Sequence, residues 1–260
     1  MKDLLHLEFR RLFRAKSFYI CTAIALVMIV ISAATTKMLL DIAAKATEDI
    51  AEAFGGAVLQ APTAFSMLKT AASSSLTTIL AVFLSLFVTE DYSSDTIKNV
   101  YAKGHSRDEV YFAKYISALA ASLMMILVTA AFSFVMGKAL FGEFGTMGEN
   151  YVGSLLAELV ILIAYVTVYF AIAISIKKTG ASIAISIIGP LLLTLLLSLG
   201  NAAIDSETID LSEYWLDGRL SLLLPSNVET KDMILGFALG AVYLVAAGGV
   251  GFLINRKSQK

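Results

Sequence analysis

Six long runs of this chain carry no charged side chain, and short polar segments separate them. They cover residues 17–36, 70–89, 115–137, 159–176, 179–204 and 233–255. A helix rises about 1.5 Å per residue and a bilayer's hydrocarbon core is about 30 Å thick, so about 20 apolar residues suffice to cross it. The shortest run has 18 residues, and residues 151–158 before it can lengthen its helix to 151–176. The first run can likewise continue to residue 40. The pattern predicts an all-α membrane protein of six transmembrane helices in a single transmembrane domain, 1–260.

Composition agrees, since 58% of the 260 residues are hydrophobic, well above the usual share of a soluble domain. The longest polar segment is about thirty residues, too short for a separate soluble domain. The lone cysteine, Cys21, lies in the first run, so no internal disulfide can form. That run has 20 residues, against about 7–15 in the apolar stretch of a signal peptide, and is expected to stay as a span.

Charge orients the spans. With the N-terminus inside, the inner segments (1–16, 90–114, 177–178 and 256–260) hold 14 basic residues and the outer ones (37–69, 138–158 and 205–232) hold 6. Basic segments resist translocation, so both termini are expected in the cytoplasm. The outer segment 205–232 has seven acids against Arg219 and Lys231. Either that field attracts a cationic ligand, or acids are what remains when basic residues are excluded.

Between the spans, several segments have patterns of their own. Residues 1–16 read as an amphipathic elbow helix, with Leu5, Phe9, Leu12, Phe13 and Lys16 on one side and His6, Arg10 and Arg14 opposite. Such a helix is expected to lie at the interface, apolar face down. Residues 41–57 carry a second amphipathic pattern on the outer side, packing on the span ends or gating a substrate. Residues 211–224 are outer yet rich in Leu, Tyr and Trp, and predict short helices dipping toward the membrane, broken near Gly218 and at Pro225. Gly189-Pro190 should kink the fifth span, because proline removes a backbone donor and crowds the preceding turn.

The loop 90–114 is the most informative. Ser94 can cap a short helix over 95–102, with Asp95 favourable in its first turn and Gly104 just past its end. Ser106-Arg107-Asp108-Glu109 forms a capping box that starts the third span, Ser106 and Glu109 satisfying each other's backbone donors. A short helix clamped between two spans can pass force from a soluble partner, or it is a well-capped turn.

Reactive chemistry at depth is sparse. The histidines, His6 and His105, lie outside the runs, and there is no H-E-x-x-H motif or paired intramembrane carboxylate. Glu158 sits on the extended fourth helix about 10 Å below its start. It is either an interfacial acid or a polar group on a substrate path. No G-x-x-x-x-G-K-[ST] occurs, so ATP hydrolysis by a P-loop falls to another subunit.

These features resemble the type-2 ABC exporter permeases. The resemblance rests on the basic elbow, the six spans and the capped loop. Its local text is Glu90 at the end of the second span, Asp95-Thr96-Ile97-Lys98-Asn99, then Ser106-Arg107 leading into the third. Asp95 stands where the family has Gly. The resemblance implies two permease subunits, identical or paralogous, in a bacterial cytoplasmic membrane, paired with two ATP-binding subunits that hold ATP and Mg. The chain itself takes no cofactor, and no nucleic-acid partner is expected. Ser94, Asp95, Thr96, Ile97, Lys98, Asn99, Val100 and Tyr101 would form the coupling helix against the ATPase, with Glu90, Gly104, Ser106, Arg107 and Glu109 as loop caps. The second and fifth spans would line the permease interface and the path, with Glu158, Ser186 and Pro190 on it. Gly180, Ser182, Ser186, Gly189, Ser198 and Gly200 would let helices approach closely. The implied cargo is an amphipathic peptide, a toxin or antimicrobial peptide. The alternatives are an ATPase-independent secondary transporter and a membrane scaffold or sensor subunit.

Overall fold

The computed structural model describes residues 2–45, 62–71, 74–94, 96–102, 104–204, 210–225 and 227–257. Its helices are α1 (Lys2–Leu12), α2 (Lys16–Lys45), α3 (Ala64–Thr70), α4 (Ser74–Ser93), α5 (Thr96–Ala102), α6 (Arg107–Phe141), α7 (Tyr151–Ile176), α8 (Thr179–Ile204), α9 (Leu216–Leu223) and α10 (Thr230–Lys257). A single 3-10 turn, Leu211–Tyr214, precedes α9. Six of these helices, α2, α4, α6, α7, α8 and α10, are long and apolar enough to cross a membrane. Most of the outer amphipathic pattern over 41–57 lies outside the described residues.

Local chemistry sets the helix ends. Ser106 accepts from the Glu109 amide at 3.3 Å, and Glu109 Oε2 accepts from the Ser106 amide at 3.2 Å, so the expected capping box starts α6. Helix α8 starts at Thr179 as predicted and runs uninterrupted through Pro190 to Ile204, where this stretch of described residues stops. Helix α7 begins at Tyr151, so Glu158 lies two turns inside it. Helix α4 departs from expectation: it runs through Glu90 and Asp91 to Ser93. Both acids meet cations there, which removes the penalty that made them read as loop.

Helices α4 and α7 form the middle of the bundle. Phe83, Phe87, Tyr165 and Phe170 are buried between their neighbours. Helix α4 touches α2, α6, α7 and α8, while α10 lies along α7. That last contact is close because two glycines one turn apart face it. A Cβ on Gly240 would stand 2.8 Å from Val160 Cγ1 and 3.3 Å from its carbonyl carbon, and one on Gly236 would stand 3.4 Å from Ala157 Cβ. Small residues spaced by four let membrane helices approach. Within the chain the glycine form of this device belongs to α10; in the fifth span added Cβ atoms at Gly180 and Gly189 meet nothing within 4 Å, and one at Gly200 would stand 3.3 Å from Leu211 Cδ1.

Helix α3 is an element the hydropathy pattern does not announce. Thr63 and Ser66 cap it reciprocally, and it lies on α6, where Ser133 Oγ donates to Met67 O at 2.5 Å. The outer segment 211–224 does fold as short helices. Its break falls at Trp215, not at Gly218, which is inside α9; Pro225 follows the end as expected. Trp215 is buried against Tyr165 and Tyr243, so the protein and not a headgroup layer receives it. Arg219, fully buried, donates to Glu213 and Asp232, which takes two acids out of the surplus on this segment.

Candidate functional site

Two ionic constructions stand at opposite ends of the bundle. The first gathers α1, α4, α5 and α6. Asp91 is its hub: it pairs with Arg11 of α1 and with Lys114 of α6, and accepts from Thr96 Oγ1 of α5 at 3.2 Å. Arg11 also reaches Glu90 Oε2 and the Phe87 carbonyl, each at 3.2 Å, and stands 3.7 Å from Glu8. A guanidinium presents five donors in a fixed fork, which suits one side chain to three carboxylates and a carbonyl. Glu8 is buried and its Oε2 has no hydrogen-bond partner. Burial pushes its carboxyl above the ordinary range, against the opposing pull of Lys114.

An apolar contact reinforces the ionic one. Leu4, Val110 and Ala113 form a small buried cluster, against which Leu5 of α1 and Val100 and Tyr101 of α5 pack. Burial thus puts Leu4, Glu8 and Leu12 on the inward face of α1, while Phe13 is exposed and Leu5 and Phe9 are half-buried. The elbow turns a mixed face into the protein, where an apolar face toward lipid was expected. Arg11, beside that face, has two carboxylates and a carbonyl as close partners, which lets the face turn inward.

The other loop residues fall as follows. Gly104 has a φ of 85°, a left-handed conformation that glycine adopts without strain, and its amide bonds Tyr101 O at 3.0 Å. Arg107 lies over the Tyr101 ring at 5.3 Å. Ser94 donates to Glu90 O at 2.7 Å in the last turn of α4, and its Oγ shares a hydrogen bond of 3.0 Å with Thr96 Oγ1 at the start of α5. The lengthened α4 leaves carbonyls in its last turn that need donors. Asp95 and the side chains of Ile97, Lys98 and Asn99 lie outside the described residues. Of the expected coupling residues, Val100 and Tyr101 face inward onto α1 and α6, and Thr96 is held by Asp91.

Between α4 and α8 runs a seam of hydroxyls. Thr89 and Thr179 share a hydrogen bond of 2.7 Å, Ser182 donates to Ser85 at 2.9 Å, and Ser186 is buried with its Oγ unpaired. Pro190 follows one turn further and is half-buried.

The second construction is at the end away from α5. Lys69 is fully buried and donates to Leu223 O at 2.8 Å and Pro225 O at 2.6 Å. Its ammonium also lies 5.4 Å above the Tyr151 ring and 3.8 Å from Glu158 Oε1, an ion pair too long for a hydrogen bond. Sequence reasoning singled out Glu158 but missed Lys69, whose partners come from α7, from the last residue of α9 and from the turn after it. Glu158 borders a cavity whose lining comes from residues of α3, α4, α6 and α7 and the start of the turn after α3; no α8 residue is in it. That cavity therefore does not join Glu158 to Ser186 and Pro190.

The sequence profile of the ABC-2 family transporter proteins matches residues 4–194. The match takes in α1, the ionic hub, α5, the capping box, Glu158 and the hydroxyl seam. No curated protein and no solved structure matches the chain. The profile covers most of the sequence, and the six apolar helices are what such a membrane subunit requires. The chain therefore belongs to the ABC-2 family of transporter proteins, as a multi-pass permease subunit that works with an ATP-binding subunit.

Proposed function

We propose that this permease is the membrane half of an ATP-driven exporter of an amphipathic substrate, a toxin or antimicrobial peptide. Two permease copies, alike or paralogous, pair with two ATP-binding subunits that carry ATP and Mg. The setting is a bacterial cytoplasmic membrane with both termini in the cytoplasm. Helix α5 is the coupling helix. The observation that carries this reading is the fastening of α5, through Asp91 to Thr96 and through Val100 and Tyr101 to Leu4 and Val110. A push on α5 is thereby delivered to α1, α4 and α6 together. The path for cargo runs between the second and fifth spans, where Ser85, Ser182 and Ser186 supply small polar groups in an otherwise apolar seam. Glu158 lies to one side of that path.

The test is affinity purification of the tagged chain in mild detergent, followed by transport in vesicles. A stoichiometric P-loop ATPase should co-purify. Ile97→Asp should leave the chain inserted yet separate ATP hydrolysis from export. Reproducible absence of an ATPase would move the reading to a secondary transporter, and unchanged export by Ile97→Asp would remove the coupling role of α5.

A further inference from the structure

The cavity beside Glu158 has a volume of about 220 Å³ and an almost wholly apolar wall that includes Leu68, Leu76, Ile126 and Leu162. Leu127 and Leu156 also line it and are 63% and 52% exposed, so the cavity opens sideways onto the apolar flank of the bundle. An apolar cavity of about 150 Å³ already accommodates benzene, so this one has room for a short alkyl segment. Its polar feature is Glu158, which is 3% exposed and whose Oε1 has no hydrogen-bond partner.

Lys69 does not satisfy that oxygen. Two of its three N–H donors are spent on the carbonyls of Leu223 and Pro225, and the ammonium stays 3.8 Å from Oε1. A buried carboxylate oxygen without a donor is costly, and one added donor would relieve it. The character of that donor follows from the charge count. Lys69 and Glu158 already cancel, so a cation entering here would be a third, uncompensated charge out of water. A neutral hydroxyl would make a charge-assisted bond without that penalty.

We propose that this cavity binds a membrane-dissolved amphiphile with an alkyl chain and a neutral hydroxyl head, the hydroxyl donating to Glu158 Oε1 and the chain filling the pocket past Leu127 and Leu156. The site is lateral, separate from the α4–α8 seam, and independent of the ATPase. Its failure would leave the exporter reading standing, and the reverse also holds.

The test uses the full chain in lipid nanodiscs and a photoactivatable decanol carrying a diazirine on its chain, with adducts mapped by peptide mass spectrometry. Decanoic acid and decyl-trimethylammonium with the same diazirine are the comparison heads. The alcohol should label α6 and α7 near Leu127 and Leu156, and unlabelled decanol should compete. Glu158→Gln should weaken labelling about tenfold, as expected for loss of a hydrogen bond to a charged group. Leu127→Trp, which leaves the ion pair intact and obstructs the mouth, should abolish it, and keeps the test valid if Glu158→Gln misfolds. Three results would overturn the proposal: no competed labelling at these helices, labelling by the ammonium head that equals or exceeds the alcohol, or labelling indifferent to Leu127→Trp.

Discussion

The two ionic constructions use the same residue types under different solvation, and they hold different things together. Around Asp91 the charges are many, mutually bridged and partly hydrated: Glu90 is largely exposed and Arg11 retains some contact with solvent. Around Lys69 there is one cation and one anion, both buried, with carbonyls and a ring face making up the balance. A hub with redundant partners can lose or rearrange one bond and stay assembled. That suits an element that must transmit motion. A single buried pair has no substitute partner, so it acts as a clamp fixing α3 and the turn after α9 to α7.

The largest expected effect is therefore at the clamp. Lys69→Met would leave Glu158 buried with no counter-charge and two carbonyls without donors, a loss of about 3–5 kcal/mol. It should appear as a steep drop in monodisperse protein by size-exclusion chromatography. Adding Glu158→Leu should restore much of it, since an apolar replacement of a buried pair is often tolerated. If the double variant is no better than the single, the pair is not the clamp.

At the hub, Asp91→Asn keeps the shape and removes the charge. Arg11 retains Glu90, Glu8 and the Phe87 carbonyl, and the buried Lys114 ammonium keeps the Tyr92 ring face and an amide oxygen as acceptor, so the stability cost should be smaller, about 1–3 kcal/mol. Coupling should suffer more than folding, with ATP-driven transport falling well below what the loss of folded protein explains. Equal losses in both would erase the distinction between hub and clamp.

The smallest effect concerns Glu8. Its folded carboxyl is raised above its unfolded value of about 4.5 by burial, so the folded state holds its proton more tightly. The contribution is fully present below about pH 4.5 and is lost as pH rises from there through the folded value. Glu8→Gln, neutral throughout, should gain stability relative to the native chain as pH rises across that window, by less than either of the other two changes. Thermal midpoints between pH 4 and 8 would show the two curves diverging upward. Parallel curves would mean that Glu8 is hydrated.

Much of the architecture was legible before any coordinates. Helix α8 starts where predicted, α7 starts at Tyr151, and the Ser106–Glu109 box opens α6 where four residues of text placed it. The extended α4 was not legible. Glu90 and Asp91 read as the end of a span because their cost was judged without Arg11 and Lys114, which lie 79 or more positions upstream and 23 downstream. The close approach expected of the fifth span's small residues concerns the interface between permeases, whereas Gly236 and Gly240 of the last span carry a close approach to α7 within the chain that the sequence did not announce. Small residues are visible in text, whereas the neighbour that uses them is not.

What the sequence determined by itself is the set of spans, their order and the caps, because each depends on residues within one or two turns and on a bilayer's fixed thickness. The tertiary structure alone decided that α1 turns a charged face inward, that α5 is fastened to three helices, and that Lys69 meets Glu158 with one carboxylate oxygen left over. Those are contacts between residues far apart in the chain. Each helix could pack on several faces at similar hydrophobic gain, and only the assembled bundle selects the face on which opposite charges meet.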